Sequence, residues 1–192
     1  DTRNHSLDFA KLAEEILLGQ GIRVLCFDRP VPTPVLSFAV VHHGAAAGVM
    51  ITASHLPFNR NGFKFFTPKG GLEKGDIKQI LTLAASDATT GLPAGKLEKG
   101  EFMDTYAKIL ADKIRAATGE EKPLAGFKIV VDAGNGAGGF YVDKVLKPLG
   151  ADTTGSRFLD PDGSFPNHIP NPEDKDAMAS IMEAVAETKA DL

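Results

Sequence analysis

The chain has 192 residues, 43% of them apolar and 24% charged, so it is long enough to bury a core and has the composition of a soluble globular protein. A net charge of −4, with basic residues scattered among the acidic ones, argues against nucleic-acid binding, which requires clustered Lys and Arg. The single cysteine, Cys26, excludes a disulfide within the chain, and no apolar run approaches the roughly 20 residues of a membrane span. We therefore expect no nucleic-acid partner, no membrane association and an intracellular location. The cytoplasm is the expected compartment, and a plastid or another organelle is the alternative because the sequence starts at Asp1 rather than Met.

Helical and extended patterns alternate through the first part of the chain. Apolar spacing predicts a first helix that is capped by Asn4 or Ser6 and ended by Gly19. The pattern then predicts, in order, a strand at 22–27, a helix that starts at Pro34 and ends near Gly44, strands at 48–52 and 63–66, and helices at 76–86 and 101–117. The stretch 91–100 is rich in Gly, Pro and Lys and is interpreted as a surface connection.

A polar segment at 119–123 leads to a second α/β pattern. This pattern predicts a strand at 127–131, a Gly-rich turn, a helix at 139–146, a weak strand at 151–154, an irregular segment at 160–171 and a helix that starts at Asn171-Pro172-Glu173. A βαβ pattern requires another strand after Leu192, so the second unit is expected to be cut before it. We predict an α/β fold in which helices sandwich a mixed-to-parallel sheet, with a first unit at 1–119 and a second unit at 124–192.

The segment after the buried strand at 48–52 carries the most informative chemistry. It runs Thr52-Ala53-Ser54-His55-Leu56-Pro57 and ends in Asn61-Gly62-Phe63-Lys64. Ligands of open α/β sheets gather at the carboxyl ends of strands, and Ser54 stands at such an end. His55, Arg60 and Lys64 supply cations close by in the sequence, which a phosphoserine with about −1.5 to −2 charges needs beside it. A tight turn at Asn61-Gly62 would bring Lys64 back toward Ser54.

Chemistry alone leaves two interpretations of this segment open. The first is a phosphoryl site in which His55 or Lys64 moves the proton of an attacking hydroxyl. The second is an ordinary polar surface loop, because adjacent Ser and His do not make a hydrolase triad and the Gly-x-Ser-x-Gly elbow is absent.

Five segments, in the same order along the chain, resemble the phosphoglucomutase/phosphomannomutase family of the alpha-D-phosphohexomutase superfamily. The serine segment resembles the catalytic loop of that family. Asp1-Thr2-Arg3 resembles an early Asp-x-Arg motif of the family, and Pro32-Thr33-Pro34 resembles the start of one of its helices. Residues 130–138 resemble the opening of its second domain, and residues 166–173 resemble the segment that follows in that domain. The resemblance spans nearly the whole chain, and several motifs at fitting separations are hard to obtain by chance.

The resemblance implies a piece of a four-domain α/β enzyme, namely a near-complete first domain without its N-terminal strand and the first part of a second domain. The implied reaction moves a phosphoryl group between the 1- and 6-hydroxyls of a hexose phosphate, such as glucose or mannose phosphate, through a phosphoserine and a hexose bisphosphate. By match, Ser54 is the phosphoserine and its phosphate is a ligand of Mg²⁺, and His55 and Lys64 line the site. Lys64, beside a dianion, is favoured for the acid/base work. No substrate-binding residue is assigned within this segment.

Two departures from the family pattern accompany the resemblance. The family usually has Asn after Ser-His, and Leu56 stands there in this chain, so an amide near the phosphate is lost. Reduced activity or a changed substrate choice is expected from that loss. The family's Gly-Thr-x-Gly-x-Arg-Gly strand before Asp1 and its Asp-rich metal loop after Leu192 are absent, so this segment alone is not expected to catalyse efficiently.

Two rival functions accompany the mutase hypothesis. A non-catalytic relative that binds sugar phosphates is motivated by Leu56. An NAD-type dinucleotide-binding domain is motivated by Gly134-x-Gly136-x-x-Gly139 after a predicted strand, with Asp152 about 20 residues further on. The same glycines serve any tight turn from strand to helix, so the mutase is the preferred hypothesis.

Overall fold

The computed structural model describes residues 1–85 and 93–192, and within them it contains five α-helices, one π-helical turn and five strands. The helices are α1 (Ser6–Gly19), α2 (Thr33–His42), α3 (Lys74–Ala84), α4 (Met103–Thr118) and α5 (Lys175–Thr188), and the π-helical turn is Val142–Leu146. The strands are β1 (Val24–Phe27), β2 (Gly48–Ile51), β3 (Phe63–Thr67), β4 (Gly70–Gly71) and β5 (Leu97–Gly100). The end of the predicted helix at 76–86 and the start of the predicted connection at 91–100 lie outside the described residues. Of the described helices, none combines the length and the apolar character needed to cross a bilayer.

Two small sheets form the framework of the first unit. β1 and β5 pair in parallel, with Val24 opposite Leu97. β2, β3 and β4 form an antiparallel sheet in that order, with Met50 opposite Lys64. The predicted α/β class, with mixed strand directions, is confirmed, and the described strands lie in two sheets rather than one. The interpretation of 91–100 as a surface connection is wrong for β5, because these residues pair with a strand far away in the sequence.

The apolar core is centred on α4. One cluster joins α4 and the residue before it to the first unit through Val31, Val35, Ala39, Phe102, Met103 and Tyr106. A second cluster joins α4 to the second unit through Ala107, Ala111, Val145 and Leu149. The side chains of Val35 and Leu149 are completely buried. α4 therefore presents one surface to each unit and connects them.

The starts of the helices show which capping signals in the sequence determine where a helix begins. α2 begins as predicted, with Pro34 in its first turn. The predicted cap of α1 is wrong: the capping position is His5, in the left-handed region at φ 64, with no side-chain cap. α5 begins at Lys175 rather than at Asn171, because the carboxylate of Asp174 accepts hydrogen bonds from the first free backbone amides of the helix.

Single parallel bridges, rather than long strands, organise the second unit. Lys128 bridges to Asp152 and Asp132 bridges to Arg157. The predicted strands at 127–131 and 151–154 therefore lie side by side, with hydrogen bonds from Ile129 N to Asp152 O (2.8 Å) and from Asp152 N to Phe127 O (2.9 Å). The predicted helix at 139–146 is mostly a π-helical turn.

Candidate active site at the serine loop

Ser54 stands at the point where the chain leaves the core. Ile51, Thr52 and Ala53 are buried, and Ser54 and the residues after it are exposed. Ser54 adopts a left-handed backbone conformation at φ 58, which is uncommon for a residue other than glycine. The turn that it starts is closed by a hydrogen bond from Leu56 N to Ala53 O at 3.1 Å. The predicted placement of Ser54 at the mouth of a strand-end loop is therefore observed, and its chemical role stays a prediction.

A buried guanidinium lies directly beneath this turn. The side chain of Arg3 is only 2% exposed. Its Nη2 donates hydrogen bonds to the carbonyl oxygens of Ser54 (2.7 Å) and Leu56 (2.5 Å), and its Nη1 pairs with the carboxylate of Asp1. Burial lowers the pKa of Arg3 from its ordinary value, but an arginine so paired remains a cation near neutral pH. The turn that presents Ser54 is thus attached to a fixed positive charge by its backbone.

A second short network fixes the amide side of the same turn. Thr52 Oγ1 donates to Asp1 Oδ2 at 2.6 Å and accepts from Ser54 N at 3.2 Å. Because Asp1 also pairs with Arg3, the carbonyl and the amide of Ser54 are both connected to one buried ion pair. Such paired, hydrogen-bonded charges hold their neighbours in one geometry.

The far end of the serine loop, which we define as residues 54–62, is attached to the start of α1. Asn61 Oδ1 accepts from Ser6 Oγ and Asn61 Nδ2 donates to Asn4 O, both at 2.9 Å. The hydroxyl of Ser6 is thus engaged by Asn61 and does not cap α1. The predicted tight turn at Asn61-Gly62 is wrong, because the chain reverses earlier, with a hydrogen bond from Arg60 N to Pro57 O at 3.0 Å.

The three predicted site residues are placed differently. Ser54 and His55 share the exposed turn at the end of β2. Lys64 lies on the neighbouring strand β3, opposite Met50, and is also exposed. Within the described residues, neither His55 nor Lys64 forms a hydrogen bond or an ion pair, so both side chains are available to an added anion. The fold thus brings Ser54 and His55 together, and it sets Lys64 on the adjacent strand without a hydrogen bond to Ser54.

Sequence reasoning gave no role to the groups that hold the turn. Arg3 donates to the carbonyls of Ser54 and Leu56, Thr52 accepts from the amide of Ser54, and Asp1 joins these two side chains. The one available signal was the match of Asp1-Thr2-Arg3 to a family motif.

A second polar cluster lies in the second unit, at the Gly-rich turn. His168 Nε2 contacts Asp132 Oδ1 at 2.9 Å, and Ser180 Oγ donates to Asp132 Oδ2 at 2.6 Å. Asn167 Nδ2 donates to Asn135 Oδ1 at 2.7 Å, and Asn135 Nδ2 donates to the carbonyl of Asp160 at 3.0 Å. These side chains connect the segment 132–139 to the irregular segment 160–171 and to α5.

Two successive α/β units, the first with an exposed serine at a strand end, define the class of α/β proteins that place their chemistry in strand-end loops. Within that class, the chain belongs to the phosphoglucomutase/phosphomannomutase family: residues 1–90 match the model of its alpha/beta/alpha domain I and residues 104–192 match that of its alpha/beta/alpha domain II. The turn from Gly134 to Gly139 lies within the domain II match, and we propose no dinucleotide site there.

Curated relatives agree with this assignment. The chain is 37% identical to the phosphomannomutase/phosphoglucomutase of Pseudomonas putida over 84% of its own length and 33% of that protein. It is 34% identical to the phosphoglucomutase of Neisseria meningitidis serogroup B over 99% of its length and 40% of that protein. The chain therefore spans about a third to two fifths of the length of these relatives.

Solved structures show the same fold. A phosphoglucomutase/phosphomannomutase family protein from Burkholderia thailandensis superposes with a TM-score of 0.74 at 28% identity, over 91% of this chain and 38% of that one. A candidate phosphomannomutase from Thermus thermophilus superposes with a TM-score of 0.75 at 29% identity, over 95% of this chain and 41% of that one.

Proposed function

We propose that the chain is the serine-bearing part of a phosphohexomutase, in which Ser54 carries the phosphoryl group that moves between the 1- and 6-hydroxyls of a hexose phosphate. The observation that carries the proposal is an exposed Ser54 whose backbone is held from below by the buried Arg3. The Ser54 hydroxyl forms no hydrogen bond within the described residues, and the unpaired side chains of His55 and Lys64 lie on the same loop and on the next strand. The names of the relatives support glucose or mannose phosphate as the substrate.

Ser54, His55 and Lys64 suffice for the proton transfers that the proposed reaction requires. In the first step, the bond between phosphorus and Ser54 Oγ breaks as a bond forms between phosphorus and the free hydroxyl oxygen of the hexose phosphate. The proton of that hydroxyl ends on Ser54 Oγ, relayed by Lys64 or His55. In the second step, Ser54 Oγ attacks the other phosphoryl group of the hexose bisphosphate, and its proton returns to the freed sugar oxygen. Charge neutralisation by Lys64 and His55 supplies much of the rate enhancement.

We also propose Mg²⁺ as the cofactor of the whole enzyme, with a phosphate oxygen on Ser54 as one ligand. Mg²⁺ prefers oxygen ligands, and a bound ion would neutralise charge on the phosphate. Among the described residues, no group of three or more His, Cys, Asp or Glu side chains is placed to hold a metal ion. The described residues therefore fit one ligand of the proposed ion and not the complete set.

Replacement of the serine tests the proposal in the full-length protein. Ser54→Ala is expected to lower turnover of glucose 1-phosphate and mannose 1-phosphate by about 10³-fold or more, because the phosphoryl carrier is lost. Phosphopeptide mapping of the unmodified enzyme is expected to place phosphate on Ser54. Because Ser54 has φ 58, Ser54→Gly, which accepts that conformation without strain, checks that the loss does not come from the backbone.

Ser37→Ala is the matched control. Ser37 is partly exposed on α2, and its hydroxyl donates to the carbonyl of Pro34 at 3.0 Å. Its loss is expected to leave turnover unchanged. Wild-type turnover in Ser54→Ala would refute the proposed mechanism.

One observation supports a second candidate, a relative that binds sugar phosphates without catalysis. Leu56 follows the Ser-His pair, and its side chain is 46% exposed at the face of the serine loop where an amide is usual in the family. A protein of this kind would bind glucose 6-phosphate without phosphate on Ser54 and without turnover. Phosphopeptide mapping together with the two assays separates the two candidates.

A further inference from the structure

The buried guanidinium of Arg3 has a second contact surface, which faces the second unit. Its Cζ lies 5.2 Å from the centroid of the Phe165 ring, within the range of a cation–π interaction. The backbone of Arg3 also forms a parallel bridge with Gly163. Arg3 therefore contacts the serine turn on one side and the segment 163–165 on the other.

The backbone around Phe165 holds the ring in place. Phe165 has φ 51, a left-handed conformation that is a clear outlier for a bulky side chain, and the residue is buried. Its amide donates to Asp162 O at 3.1 Å, and the amide of Asp162 donates in turn to Asn135 O at 2.8 Å. Strained residues persist only where the surrounding structure fixes them. The ring is thus attached to the polar cluster of the second unit.

The backbone of residues 2–4 approaches Gly163 so closely that a side chain on residue 163 would collide with it. A Cβ added there would lie 2.0 Å from the carbonyl oxygen of Thr2. Any larger residue at this position would push the segment before Arg3 away from the second unit.

We propose that Phe165, supported by the close approach at Gly163, is a positioning residue for the serine loop and acts through Arg3. The proposal rests on the proposed function for its catalytic consequence, but its structural core concerns the loop alone. The ring covers the face of a buried cation whose Nη2 holds the carbonyls of Ser54 and Leu56, so removal of the ring loosens the cation and, with it, the turn.

The first experiment measures the loop directly, by hydrogen–deuterium exchange of the peptide over residues 53–62 in the full-length protein. Phe165→Leu is expected to accelerate that exchange by about tenfold, the scale of a desolvated cation–π contact. Phe158→Leu is the matched control, because Phe158 is also an aromatic residue in the left-handed region, at φ 55, but its ring contacts His168 and not Arg3. Phe165→Tyr keeps the ring and is expected to restore slow exchange.

The second experiment measures the consequence for turnover. Phe165→Leu is expected to lower kcat by about tenfold with KM unchanged, and the double variant with Arg3→Lys is expected to lose no more than Arg3→Lys alone, because both changes act on one contact. If Phe165→Leu does not fold, Gly163→Ala takes its place with the same expected acceleration of exchange in the serine loop.

Unchanged exchange at residues 53–62 in the variant that folds, or equal acceleration in Phe158→Leu, would overturn the proposal. Additive losses in the double variant would also overturn it. Wild-type turnover in Ser54→Ala would remove the proposed function but leave the exchange experiment as a valid test of the loop contact.

Discussion

Leu56 shows that a single residue in the serine loop has separable backbone and side-chain roles. Its carbonyl accepts from Arg3 Nη2 at 2.5 Å, a contact that any residue at this position makes. Its side chain is about half exposed and has no polar atom to offer a phosphate. An apolar side chain at this position therefore leaves the support of the turn intact and offers no hydrogen-bond donor at its outer surface.

If Ser54 carries the phosphoryl group as proposed, Leu56→Asn is expected to raise kcat severalfold to about tenfold in the full-length protein. An amide that donates to a charged phosphate contributes about 1.5–3 kcal/mol where the geometry allows it, and part of that stabilises the transferring group. Phe58→Asn is the control, since Phe58 is similarly exposed on the same loop but outside the turn that Arg3 holds. An unchanged or lower kcat in Leu56→Asn would show that this position does not face the phosphate.

Among the elements, the contact between the Gly-rich turn and the irregular segment 160–171 depends on the charge of His168. Its Nδ1 faces the carbonyl of Ile169 at 3.0 Å and its Nε2 faces a carboxylate oxygen of Asp132 at 2.9 Å. Both partners accept hydrogen bonds, so the protonated ring, in which both nitrogens donate, satisfies both contacts, whereas a neutral ring satisfies only one. Burial opposes that charge and lowers the pKa of His168, but the hydrogen bonds to Ile169 and Asp132 and the charges of Asp132 and Asp174 outweigh burial and raise the pKa above 6.5.

This arrangement predicts that stability falls as the pH rises. The folded-state pKa of His168 lies above its unfolded value, so its contribution is fully present below pH 6.5 and is lost as the pH rises through the folded-state pKa. The free energy of unfolding, measured against pH by urea denaturation, is expected to decline less steeply over that window in His168→Gln than in the wild type. His5→Gln, at an exposed histidine on the other unit, should keep the wild-type slope. Identical slopes for His168→Gln and the wild type would contradict the assignment.

Local sequence patterns predicted the elements that local interactions determine. The apolar spacing of α4 and Pro34 at the start of α2 are local signals, and both helices form close to their predicted positions. β5 has one large apolar residue, Leu97, and it becomes a strand only because β1 supplies a parallel partner from a distant part of the sequence. The start of α5 was misplaced because two capping signals compete within four residues and the carboxylate of Asp174 provides the cap.

The candidate site also has one part that the local sequence predicts and one part that depends on distant contacts. Ser54 could be placed at a strand end from the apolar run before it, and a buried strand followed by an exposed turn is what the structure shows. Arg3 could not be assigned a role, because its partners at Ser54 and Phe165 lie far along the chain and nothing local reveals them. The predicted unit boundary near 119–124 stays a prediction.

At the scale of the whole molecule, α4 couples the stability of the two units because it packs against both. Ala107 and Ala111 face the second unit, and the turn of α4 before them faces the first. Polar contacts reinforce the attachment, with Arg115 Nη2 donating to Pro148 O at 3.2 Å and Lys144 Nζ of the second unit pairing with the carboxylate of Asp104 on α4. Because α4 packs against the core of each unit, separation from either unit would expose apolar side chains of the helix to solvent.

This shared helix predicts that the two units unfold in one transition. Leu149→Ala, at a completely buried side chain, is expected to lower the free energy of unfolding by about 2–5 kcal/mol. If the units unfold together, hydrogen exchange in α2, whose buried residues belong to the other core cluster, should accelerate by the same factor as exchange at residues 142–149. Leu81→Ala, at a leucine that is 65% exposed on α3, is the control and should change neither. Faster exchange confined to the second unit would show instead that the contacts between α4 and that unit open independently. The two units would then unfold in separate transitions, and α4 would unfold with the first unit.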